Sequence, residues 1–430
     1  MGSSPAWARS WRSAARAAVA PLLSVALVGA AAAAAPLPQF DPALVREGEA
    51  LAAVGDCRSC HTAPGGKAYA GGAALTTPFG TIHGTNITPD AETGIGRWTQ
   101  EQFTRAMREG VDADGRQLYP AFPYDHFRLT RDADLAALYA YLMTRPAVVA
   151  PDRPNSVRFP FNARPLVATW KALYLERIAL PADATRSARW NRGAYLVAGL
   201  GHCGACHTPR NALGAEDPGR ALAGADIEGW HAPALDATSP TPVPWDADAM
   251  YAYLRTGIAR GHSIAAGPMG EVVRSLRAAA DEDVRAMAEY IVSLSAGASE
   301  AAGAASGTPR EPDRYVDPAG DTAPGRGALV YAATCAVCHD AGRRAWPQGA
   351  LGPRNWIAAT IPTPANLLNI VQHGITPPPG ETGLWMPAFA GSLSDAQLAD
   401  LAAYVRARAG QPPWRDVEGS VRAVTRAAHP

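Results

Sequence analysis

Three copies of one pentapeptide, Cys57-Arg-Ser-Cys60-His61, Cys203-Gly-Ala-Cys206-His207 and Cys335-Ala-Val-Cys338-His339, use all six cysteines of the chain. Cys-x-x-Cys-His is the pattern for covalent attachment of c-type haem. Two thiols on neighbouring turns of a helix can form thioethers with the vinyl groups of a porphyrin, and the histidine that follows lies beneath the ring to bind iron. Three disulfides would suit a short chain without a core, and this one has 430 residues. A thiol redox centre would sit in a βαβ pattern, which surrounds none of the copies. Zinc would need a second Cys-x-x-Cys or a paired histidine near each one. The expectation is three covalently bound haem c groups, attached at Cys57, Cys60, Cys203, Cys206, Cys335 and Cys338, with His61, His207 and His339 as iron ligands.

The sixth ligand is sought from the repeat register. Met269 lies twelve residues beyond Gly257, and Met386 lies twelve beyond Gly374. Both are placed in loops, and their matched offset and neighbouring prolines argue for coordination over core packing. At the same offset from Gly110 stands Phe122, which cannot bind iron. Three residues could replace it: His126, Met107 or His83. Met107 shares a helical face with Phe103 and reads as core, and His83 is placed along the haem edge. His126 is therefore taken as the ligand, which makes the first haem bis-histidine and lower in potential than the others. A five-coordinate first haem is the remaining alternative, and it would open the chain to peroxidase-like chemistry.

The elements that must position these residues recur in the same order three times. A short helix leads into each motif (45–54, 190–198, 327–333), with Gly48, Gly193 and Gly327 marking a close crossing. A middle helix ends in glycine (100–110, 246–257, 364–374), and an amphipathic helix closes each repeat (132–143, 281–294, 395–407). Thr99 with Gln102 and Ser394 with Gln397 have capping-box spacing, and Thr363 before Pro364 reads as an N-cap. The pattern predicts an all-α fold of three tandem c-type cytochrome domains with long irregular loops, at 36–148, 180–297 and 323–410. A Pro-rich linker (149–179), a flexible linker (298–322) and a C-terminal tail (411–430) complete the chain. The tail reads as a surface helix or a docking element for a partner or membrane.

Arg9, Arg12 and Arg16 precede an apolar stretch, 17–35, that ends in alanines before Pro36. This is the form of a cleaved signal peptide, residues 1–35, with an uncleaved anchor as the alternative. It implies export to the periplasm. Thirty-nine basic and thirty-nine acidic residues cancel, and no basic stripe offers a nucleic-acid surface.

Thr85-Asn-Ile-Thr-Pro-Asp90, Thr93-Gly-Ile-Gly-Arg-Trp98, Leu118-Tyr-Pro-Ala121, Leu138-Tyr-Ala-Tyr-Leu-Met143, Gly229-Trp-His-Ala-Pro233 and Gly267-Pro-Met269 carry a resemblance over nearly the whole mature chain. The chain resembles the triheme cytochrome c subunits of membrane-associated bacterial dehydrogenases. The resemblance implies electron transfer from a separate catalytic dehydrogenase subunit to ubiquinone or a terminal oxidase, at the periplasmic face of the inner membrane. Subunits of quinoprotein alcohol or flavin-dependent gluconate and sorbitol dehydrogenases generally have methionine where Phe122 stands. The form Ala121-Phe-Pro-Tyr-Asp-His126 is more similar to cytochromes that accompany molybdenum hydroxylases acting on aldehydes or N-heterocycles. No acid/base pair or nucleotide-binding loop marks the chain as catalytic on its own.

Overall fold

The computed structural model describes residues 39–175, 180–259, 261–295, 323–340, 355–377 and 385–428. The expected signal peptide and the 298–322 linker lie outside them. In the first repeat, α1 (Pro42–Val54) runs into the single-turn α2 (Cys57–Cys60). A hairpin follows, β1 (Ala74–Thr77) and β2 (Gly80–His83), then α3 (Gln100–Glu109), the short α4 (Tyr124–Phe127) and α5 (Asp132–Met143). After β3 (Ser156–Val157) and α6 (Arg164–Tyr174) the order recurs. The second repeat has α7 (Ala188–Ala198), α8 (Gly204–His207), β4 (Ala225–Ile227), β5 (Trp230–Ala232) and α9 (Ala247–Thr256). It ends with β6 (Ile258–Ala259), β7 (Ser263–Ile264), α10 (Pro268–Leu276) and α11 (Asp281–Leu294). The third has α12 (Ala323–Thr334), α13 (Ala336–His339), α14 (Ile357–Thr360), α15 (Ala365–His373) and α16 (Asp395–Arg408), and α17 (Val417–Ala428) follows.

Among the described residues helices dominate, and the strands form only short antiparallel pairings, the largest being the sheet β1-β2-β3. The lead-in and closing helices of each repeat cross at a glycine. A Cβ on Gly48, Gly193 or Gly327 would overlap the backbone carbonyl of Ala137, Ala286 or Asp400, respectively. Backbone-to-backbone packing of this kind leaves no room for any other residue. Local signals set the ends. Thr99 and Ser394 form the expected capping boxes, and Gly110 and Gly257 take left-handed conformations after α3 and α9. Thr363 does not cap: α15 starts at Ala365 after Pro364, and the Thr363 hydroxyl is buried without a partner.

Among the described residues, buried side chains form two clusters. One joins the first two repeats, with Leu51, Leu138, Leu196, Leu200 and Met287 among its members. The other belongs to the third repeat and takes in Trp414, Val421 and Val424, so the tail folds onto its own repeat. The first two repeats are also tied by charge. Arg192 on α7 bridges Asp283 at 2.8 Å and Asp134 of α5 at 3.3 Å, and the Tyr195 hydroxyl donates to Asp134 at 2.6 Å. The Pro-rich stretch is bonded back to the first repeat through β3 and through Ala150 and Asp152. Among the described residues no helix is long and apolar enough to cross a membrane.

Candidate haem sites

The turn α2 begins after Asp56, which is in the left-handed region at φ 44°. Cys57, Cys60 and His61 line a cavity of about 670 Å³, within the span of cofactor pockets, roughly 300–1,000 Å³. His61 Nδ1 lies 2.7 Å from the Thr85 carbonyl. A carbonyl only accepts, so the proton is on Nδ1 and Nε2 keeps the lone pair that a metal ligand needs. His207 repeats the arrangement with the Pro233 carbonyl, also at 2.7 Å. Burial pulls both imidazoles below their ordinary pKa, against the opposing pull of those carbonyls. In the third repeat His339 packs edge-on against Trp356, with ring centroids 4.8 Å apart.

The stretch that carried the family resemblance is what fixes the first carbonyl. Asn86 Nδ2 donates to the Val148 carbonyl at 2.8 Å and to Thr93 Oγ1 at 3.1 Å, while its backbone N–H donates to Asp152 at 3.1 Å. Asp90 accepts from the backbone and hydroxyl of Thr93. Thr85 is thus held against His61 by a hydrogen-bonded knot.

None of the six sulfurs is in a disulfide. Burial pushes the thiols of Cys57, Cys60 and Cys203 up to about 12, far from the depressed values of redox-active cysteines. Paired free thiols beside an imidazole with a free Nε2 fit haem c attachment at the first two motifs. The first two motifs also abut. Ser275 donates to the Asp56 carboxylate, His202 Nε2 donates to the Gly55 carbonyl at 3.3 Å, and Cys206 is near enough to contribute to the raised pKa of Cys60. His202, from the second repeat, lines the first cavity.

The two offset-matched methionines are presented differently. Met269 is not in a loop but in the first turn of α10, started by Pro268 after Gly267, whose α-carbon sits against the Trp230 ring with no space for a Cβ. Met386 lies in an extended bridge with Ile375, with backbone hydrogen bonds of 2.8 and 3.0 Å.

His126 is not among the residues lining the first cavity. Its Nδ1 donates to the Ala198 carbonyl at 2.7 Å, and its Nε2 lies 2.8 Å from Glu216 Oε1. Burial alone would depress this imidazole, but the hydrogen bond and charge of Glu216, with Asp125 and the Ala198 carbonyl, outweigh it and raise the pKa to about 9. Both ring nitrogens thus face oxygen acceptors. Met107, Phe122 and His83 line the cavity instead, and His83 Nδ1 is buried without a partner. No local sequence signal names Glu216, ninety residues away.

Residues 45–146 match the family described as cytochrome c, and residues 322–405 the family described as cytochrome C oxidase, cbb3-type, subunit III. The gluconate 2-dehydrogenase cytochrome c subunit of Pantoea cypripedii is 38% identical over 395 residues, 86% of each chain. The chain belongs to the cytochrome c subunits of bacterial dehydrogenases. The cytochrome c subunit of a quinone-type alcohol dehydrogenase from Komagataeibacter europaeus is 37% identical to this cytochrome subunit over 86% of it and 81% of the relative. A nicotinate dehydrogenase subunit of Pseudomonas putida is 48% identical over 381 residues. That match takes in 87% of this cytochrome chain and only 31% of the relative's length.

Proposed function

We propose that this cytochrome subunit carries three covalently bound haem c groups in three tandem domains, within 36–148, 180–297 and 323–410, and relays electrons out of a partner dehydrogenase. Bound haem c supplies the one-electron chemistry. The protein holds it at Cys57 and Cys60, Cys203 and Cys206, and Cys335 and Cys338, with His61, His207 and His339 as ligands and Met269 and Met386 as sixth ligands of the second and third. The observation that carries this reading is the matched pair of histidine–carbonyl bonds, His61 to Thr85 and His207 to Pro233, each fixing the tautomer beneath its motif.

Oxidation of the organic substrate belongs to the partner. A molybdenum hydroxylase acting on an N-heterocycle or an aldehyde is favoured by the 48% identity to the nicotinate dehydrogenase subunit and by the stretch Phe122-Pro-Tyr-Asp-His126. A quinoprotein alcohol or flavin-dependent gluconate dehydrogenase is the second reading, supported by relatives matched over most of their length. Residues 1–35 act as the signal peptide, and electrons pass to ubiquinone or a terminal oxidase at the periplasmic face of the inner membrane. Alkaline pyridine spectra with intact mass of the mature protein give three haems per chain, and fewer than two reject the proposal. Identifying the cofactor of the co-purifying subunit as molybdopterin, quinone or flavin decides between the partners.

A further inference from the structure

We propose that Met107, on α3, is the sixth ligand at the first haem site, the thioether having moved from the loop onto the middle helix. The inference rests on the reading that haem is bound at Cys57, Cys60 and His61. Aligning the three middle helices on their terminal glycines, Gly110, Gly257 and Gly374, shows a reciprocal exchange. Twelve residues after the glycine stand Phe122, Met269 and Met386; three residues before it stand Met107, Leu254 and Val371. The repeat that lacks methionine at the loop position is the one that has it on the helix. In the other two the helix position is filled by buried aliphatic side chains.

The geometry of the first repeat agrees. Met107 is buried and lines the cavity that Cys57, Cys60 and His61 line. The helix carrying it is fixed at both ends. The Thr99–Gln102 capping box holds its start, and Lys171 Nζ donates to the Glu109 and Gly110 carbonyls, both at 2.6 Å, at its finish. A ligand on so anchored an element keeps its place without a supporting loop. The side chain at the loop position is engaged elsewhere. Phe122 packs against Phe127 with centroids 5.2 Å apart, and Phe127 against His202 at 5.5 Å, an aromatic row that reaches the second repeat. His126 is committed to Glu216 and Ala198. His83 lies two residues before Thr85, as His231 lies two before Pro233. It sits at the end of β2, in the segment that leads to the Thr85 carbonyl beside His61.

Thioether ligation stabilises ferrous iron and raises the potential. The first site then matches the other two in ligand type, and the low-potential bis-histidine centre expected from the sequence is replaced.

The test uses the mature, haem-loaded chain. Proton NMR of the reduced wild type is expected to show three strongly ring-shifted methionine ε-methyl signals; two would overturn the assignment. In Met107→Leu one of these signals disappears, and carbon monoxide binds one haem per chain in the reduced state, against none in the wild type. Met107→His restores six-coordination and stops carbon monoxide binding while the signal stays absent. Carbon monoxide binding gained in His83→Gln or His126→Gln but not in Met107→Leu would overturn the proposal. Haem content, measured on the same samples from pyridine spectra, separates the two readings. Three haems with only two ring-shifted signals refute the ligand alone, whereas no haem attached at Cys57 and Cys60 refutes the binding reading beneath it.

Discussion

Glu216→Gln breaks a buried charge pair that joins the first two repeats. In the native protein the His126 side chain is 12% exposed and that of Glu216 18%, so water screens their 2.8 Å contact little. The groups facing the imidazole are Glu216, Asp125 and, more distantly, Arg210 and His202. Raising His126 from 6.5 to about 9 corresponds to about 3 kcal/mol at 1.36 kcal/mol per pKa unit. Because the folded pKa is above the unfolded one, this stabilisation is complete below about pH 6.5 and is lost as the pH rises through about 9. Glu216 is held below its ordinary value, mainly by the hydrogen bond and charge of His126 working against burial. Its share is present above pH ~4.5 and is lost as the pH falls through its folded value. Glutamine keeps the shape and removes the charge, leaving burial opposed by only Asp125 and the Ala198 carbonyl. Chemical unfolding of the haem-loaded protein near pH 6 should therefore show the variant roughly 2–3 kcal/mol less stable. Near pH 10, where His126 is neutral in both proteins, the gap should shrink to a few tenths of a kcal/mol. Equal losses at the two pH values, or a loss near pH 6 below about 0.5 kcal/mol, would refute the reasoning.

Gly193→Ala drives a methyl group into the Ala286 carbonyl at the α7–α11 crossing. Overpacking against rigid backbone should cost roughly 2–4 kcal/mol, read as a fall in the denaturation midpoint with an unchanged slope. Trp414→Ala removes a buried ring whose Nε1 donates to the Ile361 carbonyl at 2.8 Å and over which the Arg406 guanidinium sits at 4.6 Å. A loss of about 3–5 kcal/mol in the third repeat is expected, with protease cleavage appearing beyond residue 410. An unchanged cleavage pattern would show that α17 is held by other contacts.

What is legible in the sequence is what is encoded locally. The span Asp132–Met143 of α5, the terminal glycines of α3 and α9, and both capping boxes follow from contacts within one or two turns. The three lead-in glycines can be read because each repeat supplies the same crossing. What the sequence hides depends on residues far apart in the chain. His126 reads as an iron ligand because its partners, Ala198 and Glu216, lie 72 and 90 residues away. A trace of its true seat is present: Gly204, between Cys203 and Cys206, is where the imidazole packs, and the matching positions hold Arg58 and Ala336. The Pro-rich stretch and the tail read as connector and surface helix because their docking sites are not local either.

These long-range contacts give the second repeat a particular position. Ser275 and His202 reach Asp56 and Gly55 of the first repeat. On its other side, the backbone of His231 and Gly229 is held by Asn366 and Asn369 of α15, at 2.7–2.9 Å. Gly229, Trp230 and His231 belong to the β4–β5 hairpin, whose Trp230 ring also packs on Gly267, two residues before Met269. One hairpin therefore supports the start of α10, which carries a proposed ligand, and also grips the third repeat. The second repeat touches both of its neighbours in the chain, so the covalent order of the motifs is also an order of physical contact. On the proposed reading of three bound haems, the site of His207 would be the intermediate between the other two. Contacts that fix its spacing, such as Asn366 on His231, should control relay rate without altering any ligand.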